Sequence, residues 1–265
     1  MNYNIDFGMP TLIELDSLDK NVSLCNELEL KFIELNMNLP EYQTDKFDTD
    51  KINYYRVKYG IYFTIHLDEN FNAWDFNNYI SDAYLKTLTD TIEIAKKIKA
   101  PVINMHMSGG VYFTLPSQRV YLFEKYQDEY MKKTYSLIEL CNKCIGESSI
   151  KISIENTSGY MDFQIMAIDK LLKNNYFSLT YDVGHSYCNN DVDLPFIIDR
   201  KAHLKHIHLH DAIIKSMRKD HLPLGEGEVD IKSKLNLANE CGCRIVIETK
   251  TVESLKKSME IVKKY

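Results

Sequence analysis

The sequence has little that would cut it into parts. Over 265 residues it carries ten glycines and six prolines. No Pro/Gly/Ser-rich linker or low-complexity tract divides the chain, so one large core is expected. No run is long and apolar enough for a membrane span. Met1–Asp16 lacks a basic region leading into an apolar core, so no secretory signal is read there and a cytoplasmic protein is expected. Positive charge is not in excess. Lys and Arg number 32 against 38 Asp and Glu, a net −6, which argues against a global basic field for nucleic acid. The six cysteines, at 25, 141, 144, 188, 241 and 243, do not suggest a disulfide framework in a chain of this size without an export signal. Cys141 and Cys144 form a C-x-x-C within a helical stretch. With no second pair and no strand-to-helix turn there, they read as reduced thiols rather than a zinc or redox motif.

Short β-rich runs alternate with longer stretches of helical period. The strands are expected at Tyr3–Met9, Lys31–Met37, Tyr62–Leu67, Val102–Met107, Lys151–Asn156, Phe177–Val183, Lys205–His210 and Arg244–Thr249. Helices are expected at Tyr79–Lys99, which ends in a basic turn before Pro101, at Tyr121–Cys144 and at Leu255–Tyr265. The longest irregular pieces are Ser108–Val120 and Ala212–Glu228. Eight βα units without a break predict a single-domain (β/α)8 TIM barrel over residues 1–265. An open doubly wound sheet is the runner-up, but no strand leads into a Gly-rich dinucleotide turn. Gly225-Glu226-Gly227 comes nearest and sits late in a long loop.

Ionisable residues gather near the C-terminal ends of the expected strands. They include Glu34, His66, His106, Glu155, Asp182 with His185, the run His206-Ile207-His208-Leu209-His210-Asp211, and Glu248. In a barrel those ends converge on one mouth. A lone His or Glu there would be an ordinary buried group. Several carboxylates together cost a great deal unless protons or a cation compensate, and a divalent metal bound by carboxylates and imidazoles does so. Of the eight histidines, His203 and His206 lie before or at the start of strand seven and read as core or surface structure.

These stretches resemble the divalent-metal TIM barrels that group xylose isomerase-like enzymes, sugar epimerases and endonuclease IV. The matching segments are Phe32-Ile33-Glu34-Leu35, Glu155-Asn156-Thr157, Asp182-Val183-Gly184-His185, His206 to Asp211, Asp220 to Gly227 and Ile247-Glu248-Thr249. The resemblance implies a metal centre of Glu155, Asp182, His208 and Glu248. It implies Mn, Zn or Co as the divalent cofactor. It offers His66, His106, His185 and His221 as ligands of further ions, as in the nuclease, or as substrate contacts. The nuclease's third site uses an aspartate two residues before the last histidine. Here Lys219 holds that position and Asp220 follows one residue late. Sugar epimerases carry an arginine soon after the strand-seven histidine, and here none appears before Arg218.

The resemblance supports a metal-dependent isomerase or epimerase of a sugar or sugar phosphate, passing a proton through an enediolate. Glu155 and Glu248 would move the proton and His185 would bond a substrate oxygen. His66, His106, His221, Trp74 and Arg218 complete the expected substrate contacts. The alternative is an endonuclease IV-like zinc phosphodiesterase acting on abasic DNA. A related sugar or polyol lyase and a non-catalytic metal-binding protein stand behind it. Nucleic acid ranks below a small sugar as partner, because the loops after strands two, three and six lack cations. No membrane partner is expected, and a homo-oligomer is compatible with the sequence.

Overall fold

The computed structural model describes residues 3–215 and 218–265. Met1 and Asn2 of the N-terminal stretch, and Ser216 and Met217 within Ala212–Glu228, lie outside the described residues. Eight parallel strands close a barrel: β1 (Phe7–Pro10), β2 (Phe32–Asn36), β3 (Tyr62–His66), β4 (Val102–His106), β5 (Lys151–Glu155), β6 (Phe177–Asp182), β7 (Leu204–Leu209) and β8 (Arg244–Ile247). Each neighbour in sequence is a neighbour in space, and β1 pairs with β8 to close the ring. The major helices, among them Asn78–Ile98, Gln127–Ile145 and Ile231–Cys241, return the chain between strands, and Val252–Val262 follows the last strand. Among the described residues no helix is long and apolar enough to cross a membrane.

The strands' two faces differ in chemistry. One set is apolar and fully buried: Ile33, Leu35, Phe63, Ile65, Ile103, Met105, Ile152, Ile154, Leu179, Ile207, Ile245 and Ile247. It supplies the hydrophobic layer against the helices. The alternate set is polar apart from residues such as Phe32, Val102 and Val246, and its polar side chains bond to one another across the barrel interior. Thr180 Oγ1 lies 2.6 Å from Asn104 Oδ1 and 2.7 Å from Ser153 Oγ, and Thr64 Oγ1 donates to Glu34 Oε2 at 2.8 Å. The Asn104 side-chain amide in turn donates to Glu155. Side chains alternate faces along a strand, so each of these residues stands two positions below one at the mouth.

Three expectations need adjustment. The first strand begins at Phe7, where pairing with Ile245 starts, and not at Tyr3. The expected helix Tyr121–Cys144 is two helices, Leu122–Lys125 and Gln127–Ile145, broken where Tyr126 leaves helical geometry. Both irregular stretches contain antiparallel ribbons, Tyr112–Thr114 with Arg119–Tyr121 and Asp211–Ile213 with Lys219–Leu222. No disulfide links any of the six cysteines.

Because Thr180 bonds to both Asn104 and Ser153 in the closed interior, Thr180→Val leaves buried polar groups without their partner. A loss of about 1–3 kcal/mol is expected, read from the urea midpoint at unchanged m-value. An unchanged midpoint would show that water replaces the hydroxyl there.

Candidate metal centre

Glu155 ends β5, Asp182 ends β6, His208 is the penultimate residue of β7, and Glu248 follows β8 directly. All four meet around one imidazole nitrogen. His208 Nδ1 lies 3.0 Å from Glu248 Oε2, 3.3 Å from Glu155 Oε1 and 4.0 Å from Asp182 Oδ2. One donor atom from each of the four lies within 4.8 Å of the others. Yet neither His208 nitrogen nor Glu248 Oε2 makes a well-directed hydrogen bond, although all three are buried. Buried donors aimed together without satisfying one another are what a cation site requires. Three carboxylates and one imidazole suit Mn²⁺, Zn²⁺ or Co²⁺.

The charges show what stands in for a cation. Burial works against charge on His208, but Glu155, Glu34 and Glu248 raise its pKa well above the usual imidazole range. Burial likewise opposes ionisation of Glu155 and Glu248, and His208 holds both well below the usual carboxylate range. The imidazolium is thus the counter-charge at the centre of the carboxylates.

Groups below and beside the centre orient it. Glu34 Oε1 lies 2.8 Å from His208 Nε2, and Glu34 Oε2 lies 3.0 Å from His206 Nε2. A carboxylate behind a ligating imidazole fixes its orientation and increases its basicity. His66 Nδ1 faces the Leu67 carbonyl at 2.6 Å, which directs Nε2 to Glu155 Oε2 at 3.2 Å. Burial disfavours charge on His66, but the bond to Glu155 outweighs it and raises the pKa to about 9. His106 Nε2 stands 3.4 Å from the same oxygen. At the other side, Asp182 caps the helix Val183–Cys188 by accepting the His185 N–H at 2.7 Å. His185 Nδ1 is 3.4 Å from Asp182 Oδ2 and makes no hydrogen bond.

His185, His210 and His221 also lie close enough to suggest a second three-nitrogen site. Their hydrogen bonds argue against it. His210 Nδ1 accepts the His221 backbone N–H at 2.7 Å, so Nε2 carries the proton that faces Asp182 Oδ1 at 3.1 Å. Both nitrogens are committed, and His210 braces Asp182. A Cβ at position 184 would stand 2.0 Å from the His210 ring, so glycine there is what admits it. His221 stacks on His210 with ring centroids 4.1 Å apart, and its Nε2 reaches Glu248 Oε1 at 3.3 Å.

A cavity of about 1050 Å³ opens above the centre, walled by His66, His106, His185, His221, Glu34, Glu155 and Glu248 among others. Two expected substrate contacts stand elsewhere. Trp74 is buried against the helix Gln127–Ile145, stacked on Tyr130 and donating to Thr134 Oγ1 at 2.9 Å, so it is a packing residue. Arg218 is exposed and does not line the cavity. Asp220 is also off the wall and faces His221 Nδ1 at 2.8 Å. His203 sits in a short turn before β7, and His206 is in the core. Sequence reasoning gave no site role to Glu34, Asn104, His210 or Lys250, whose ammonium lies 2.9 Å from Glu248 Oε1. For Glu34 and Asn104 the signal was period two, since each lies two residues before a mouth residue on its own strand, and His210 follows β7 directly, two residues after His208.

The closed parallel barrel brings carboxylates and imidazoles from its strand ends to one point. The family model for the xylose isomerase-like TIM barrel matches residues 22–265, and the chain belongs to that family. An uncharacterized protein of Methanocaldococcus jannaschii, MJ1614, is 26% identical over 231 residues, covering 85% of this chain and 84% of its own. A crystal structure of a D-tagatose 3-epimerase-like protein is similar at TM-score 0.79 and 21% identity, covering 98% of this chain and 97% of its own. The IOLI protein with a binding zinc atom is similar at TM-score 0.71 and 14% identity, covering 97% and 96%.

A cation must displace the proton of His208, whose pKa is raised. Binding of Mn²⁺, Zn²⁺ or Co²⁺ is therefore expected to release protons and to weaken as pH falls below that raised value. Calorimetry in two buffers of different ionisation enthalpy reads the proton count. Glu155→Gln and Glu248→Gln should each lower affinity about 10–100-fold, and His203→Asn should leave it unchanged. No heat, no proton release and no thermal shift with any of the three ions would remove the metal centre.

Proposed function

We propose that this chain is a divalent-metal-dependent isomerase or epimerase of a sugar or sugar phosphate, moving a proton on the carbon beside a carbonyl. The observation that carries the reading is the convergence of Glu155, Asp182, His208 and Glu248 on the floor of a cavity large enough for a monosaccharide. An ion held there would supply Lewis-acid stabilisation of the negative charge that develops on the substrate oxygens. The remaining work falls to side chains. Glu155 and Glu248 reach the cavity from strands three places apart in the ring, so they flank a bound sugar and suit removal and return of the proton. His185, with an unpartnered Nδ1, is suited to bond a substrate oxygen. The fold similarity to a D-tagatose 3-epimerase-like protein supports sugar chemistry, and the zinc in the IOLI structure supports a metal.

A phosphodiesterase is the second reading, favoured by one observation. His66 and His106 both approach Glu155 Oε2, which gives more nitrogen donors than one ion uses. Against it, the cavity wall carries four carboxylates, from Glu34, Glu69, Glu155 and Glu248, and one ammonium, from Lys250. A phosphate backbone needs the opposite balance.

The reaction leaves an isotopic record. In D₂O with Mn²⁺, Zn²⁺ or Co²⁺, the enzyme should place deuterium on the carbon beside the carbonyl of an accepted ketose, followed by proton NMR. Glu155→Gln and Glu248→Gln should each slow exchange about 10²–10⁴-fold while the barrel still folds. Absence of exchange across free and phosphorylated ketoses, together with incision of abasic DNA, would promote the second reading.

A further inference from the structure

We infer that the sugar accepted by this cavity carries no phosphate ester; this rests on the sugar reading above and narrows it. Two observations lead there independently. The first is the charge of the wall. The four wall carboxylates face a single ammonium, and that ammonium, on Lys250, lies 2.9 Å from Glu248 Oε1. Asp182 adds a fifth carboxylate just beneath. A divalent ion offsets two of these charges, and the mouth stays negative even with Lys250 and His66 both counted as cations. No arginine is among the lining residues. Arg218 is exposed off the wall, and Lys215 pairs with Glu228 at 2.9 Å. A phosphate dianion would enter an acidic pocket without a guanidinium fork.

The second observation concerns the backbone amides. In barrels a phosphate is frequently held by the loops after strands seven and eight, through free N–H groups and a helix N-terminus. Here a carboxylate of the chain fills that cradle. Asp211 accepts N–H groups from Gly225 at 2.8 Å, Gly227 at 2.9 Å, Val229 at 3.0 Å and Ala212 at 2.9 Å. The fit is close, since a Cβ on Gly227 would stand 2.2 Å from Asp211 Oδ1. At the helix after β8, Thr251 Oγ1 takes the Ser254 N–H at 3.1 Å and Glu14 takes that of Val252 at 3.2 Å. The Gly225-Glu226-Gly227 loop therefore serves as an internal anion clasp and has no amide left for a ligand phosphate.

What remains on the wall reads hydroxyls. Asn36, Asn38, Asn70, Asn72, Ser108 and Thr157 are neutral donors and acceptors. Asn36 Oδ1 accepts the Asn38 N–H at 2.8 Å, and Asn38 Oδ1 accepts the Glu69 N–H at 3.2 Å. Holding each carbonyl this way leaves the side-chain NH₂ for a ligand oxygen. An uncharged polyol matches that surface.

The test titrates the Mn²⁺-loaded protein by calorimetry with ketopentoses and ketohexoses and with the terminal phosphate ester of each. At least one free ketose should bind, and its ester should bind about tenfold or more weakly. An ester binding as tightly as its parent, or more tightly, overturns the inference and leaves the sugar reading standing. If neither kind binds, the sugar reading itself fails and takes the inference with it. Glu69→Lys, at an exposed side chain on the rim, should narrow the ratio by placing a cation on the wall. An unchanged ratio in that variant would overturn the acidic wall as the cause.

Discussion

Mutual repulsion among buried carboxylates is the constraint that the inner barrel is built around. Glu155 and Asp182 are buried and Glu248 nearly so, and all three turn toward His208. Ionised side chains in such a place are costly unless a positive charge sits between them, and removing that charge strands the rest. The neighbouring carboxylates raise the His208 pKa and so favour an imidazolium that answers the need, and a divalent ion there would answer it further. The arrangement therefore suits positive charge, whether carried by protons or by a metal ion. Exchange of one for the other would tie metal occupancy to pH.

That constraint propagates downward. His208 presents Nδ1 upward, and Glu34, from β2 across the ring, sets a carboxylate oxygen 2.8 Å from its Nε2 as a charge partner underneath. Glu34 must itself be satisfied in a closed interior, so Thr64 and His206 donate to it. Glu155 draws in Asn104, which draws in Thr180 and then Ser153. The barrel interior thus becomes a hydrogen-bonded column instead of the branched aliphatic packing usual inside such barrels. Cohesion comes mainly from the other face of the strands, where an almost continuous layer of Ile, Leu and Phe meets the helices. Folding and chemistry are assigned to opposite faces of the same eight strands. A charge-neutralising change at the mouth can then weaken the centre without unmaking the barrel.

The same division explains what could be read in advance. The eight strands were legible because their outward face is uniformly apolar and each is followed by helical period. That Glu155, Asp182, His208 and Glu248 gather at one mouth was legible from their place at strand ends and from the family motifs. Glu34, Asn104 and His210 were present in the strings but had no role, because the role depends on cross-strand register, and one chain's pattern does not state which strand faces which. Trp74 was misplaced for a related reason. It lies in a loop after a strand carrying a site histidine, yet its indole turns back to Thr134 and Tyr130 on the helix Gln127–Ile145. Loop membership indicates nearness to the mouth but not the direction of a side chain. Arg218 failed in the same way, being close in sequence to His221 but exposed and off the cavity wall.

The segment after strand seven shows how tightly the mouth is specified. His221 adopts a left-handed backbone with φ of 53°, a conformation that costs a non-glycine residue energy. It persists because the surroundings over-determine it. Its N–H is taken by His210 Nδ1, its ring lies flat on the His210 ring, and its two nitrogens face Asp220 and Glu248. His210 in turn can stand there only because position 184 has no side chain, and the far end of the segment is pinned by three amides, of Gly225, Gly227 and Val229, on Asp211. Each contact removes a freedom that Glu248 or Asp182 would otherwise have. A centre that must hold several like charges within a few ångströms of one nitrogen cannot leave its ligands mobile, since each would swing outward toward water. The strained histidine, the glycine beneath His210 and the clasped loop are three local solutions to that one electrostatic demand.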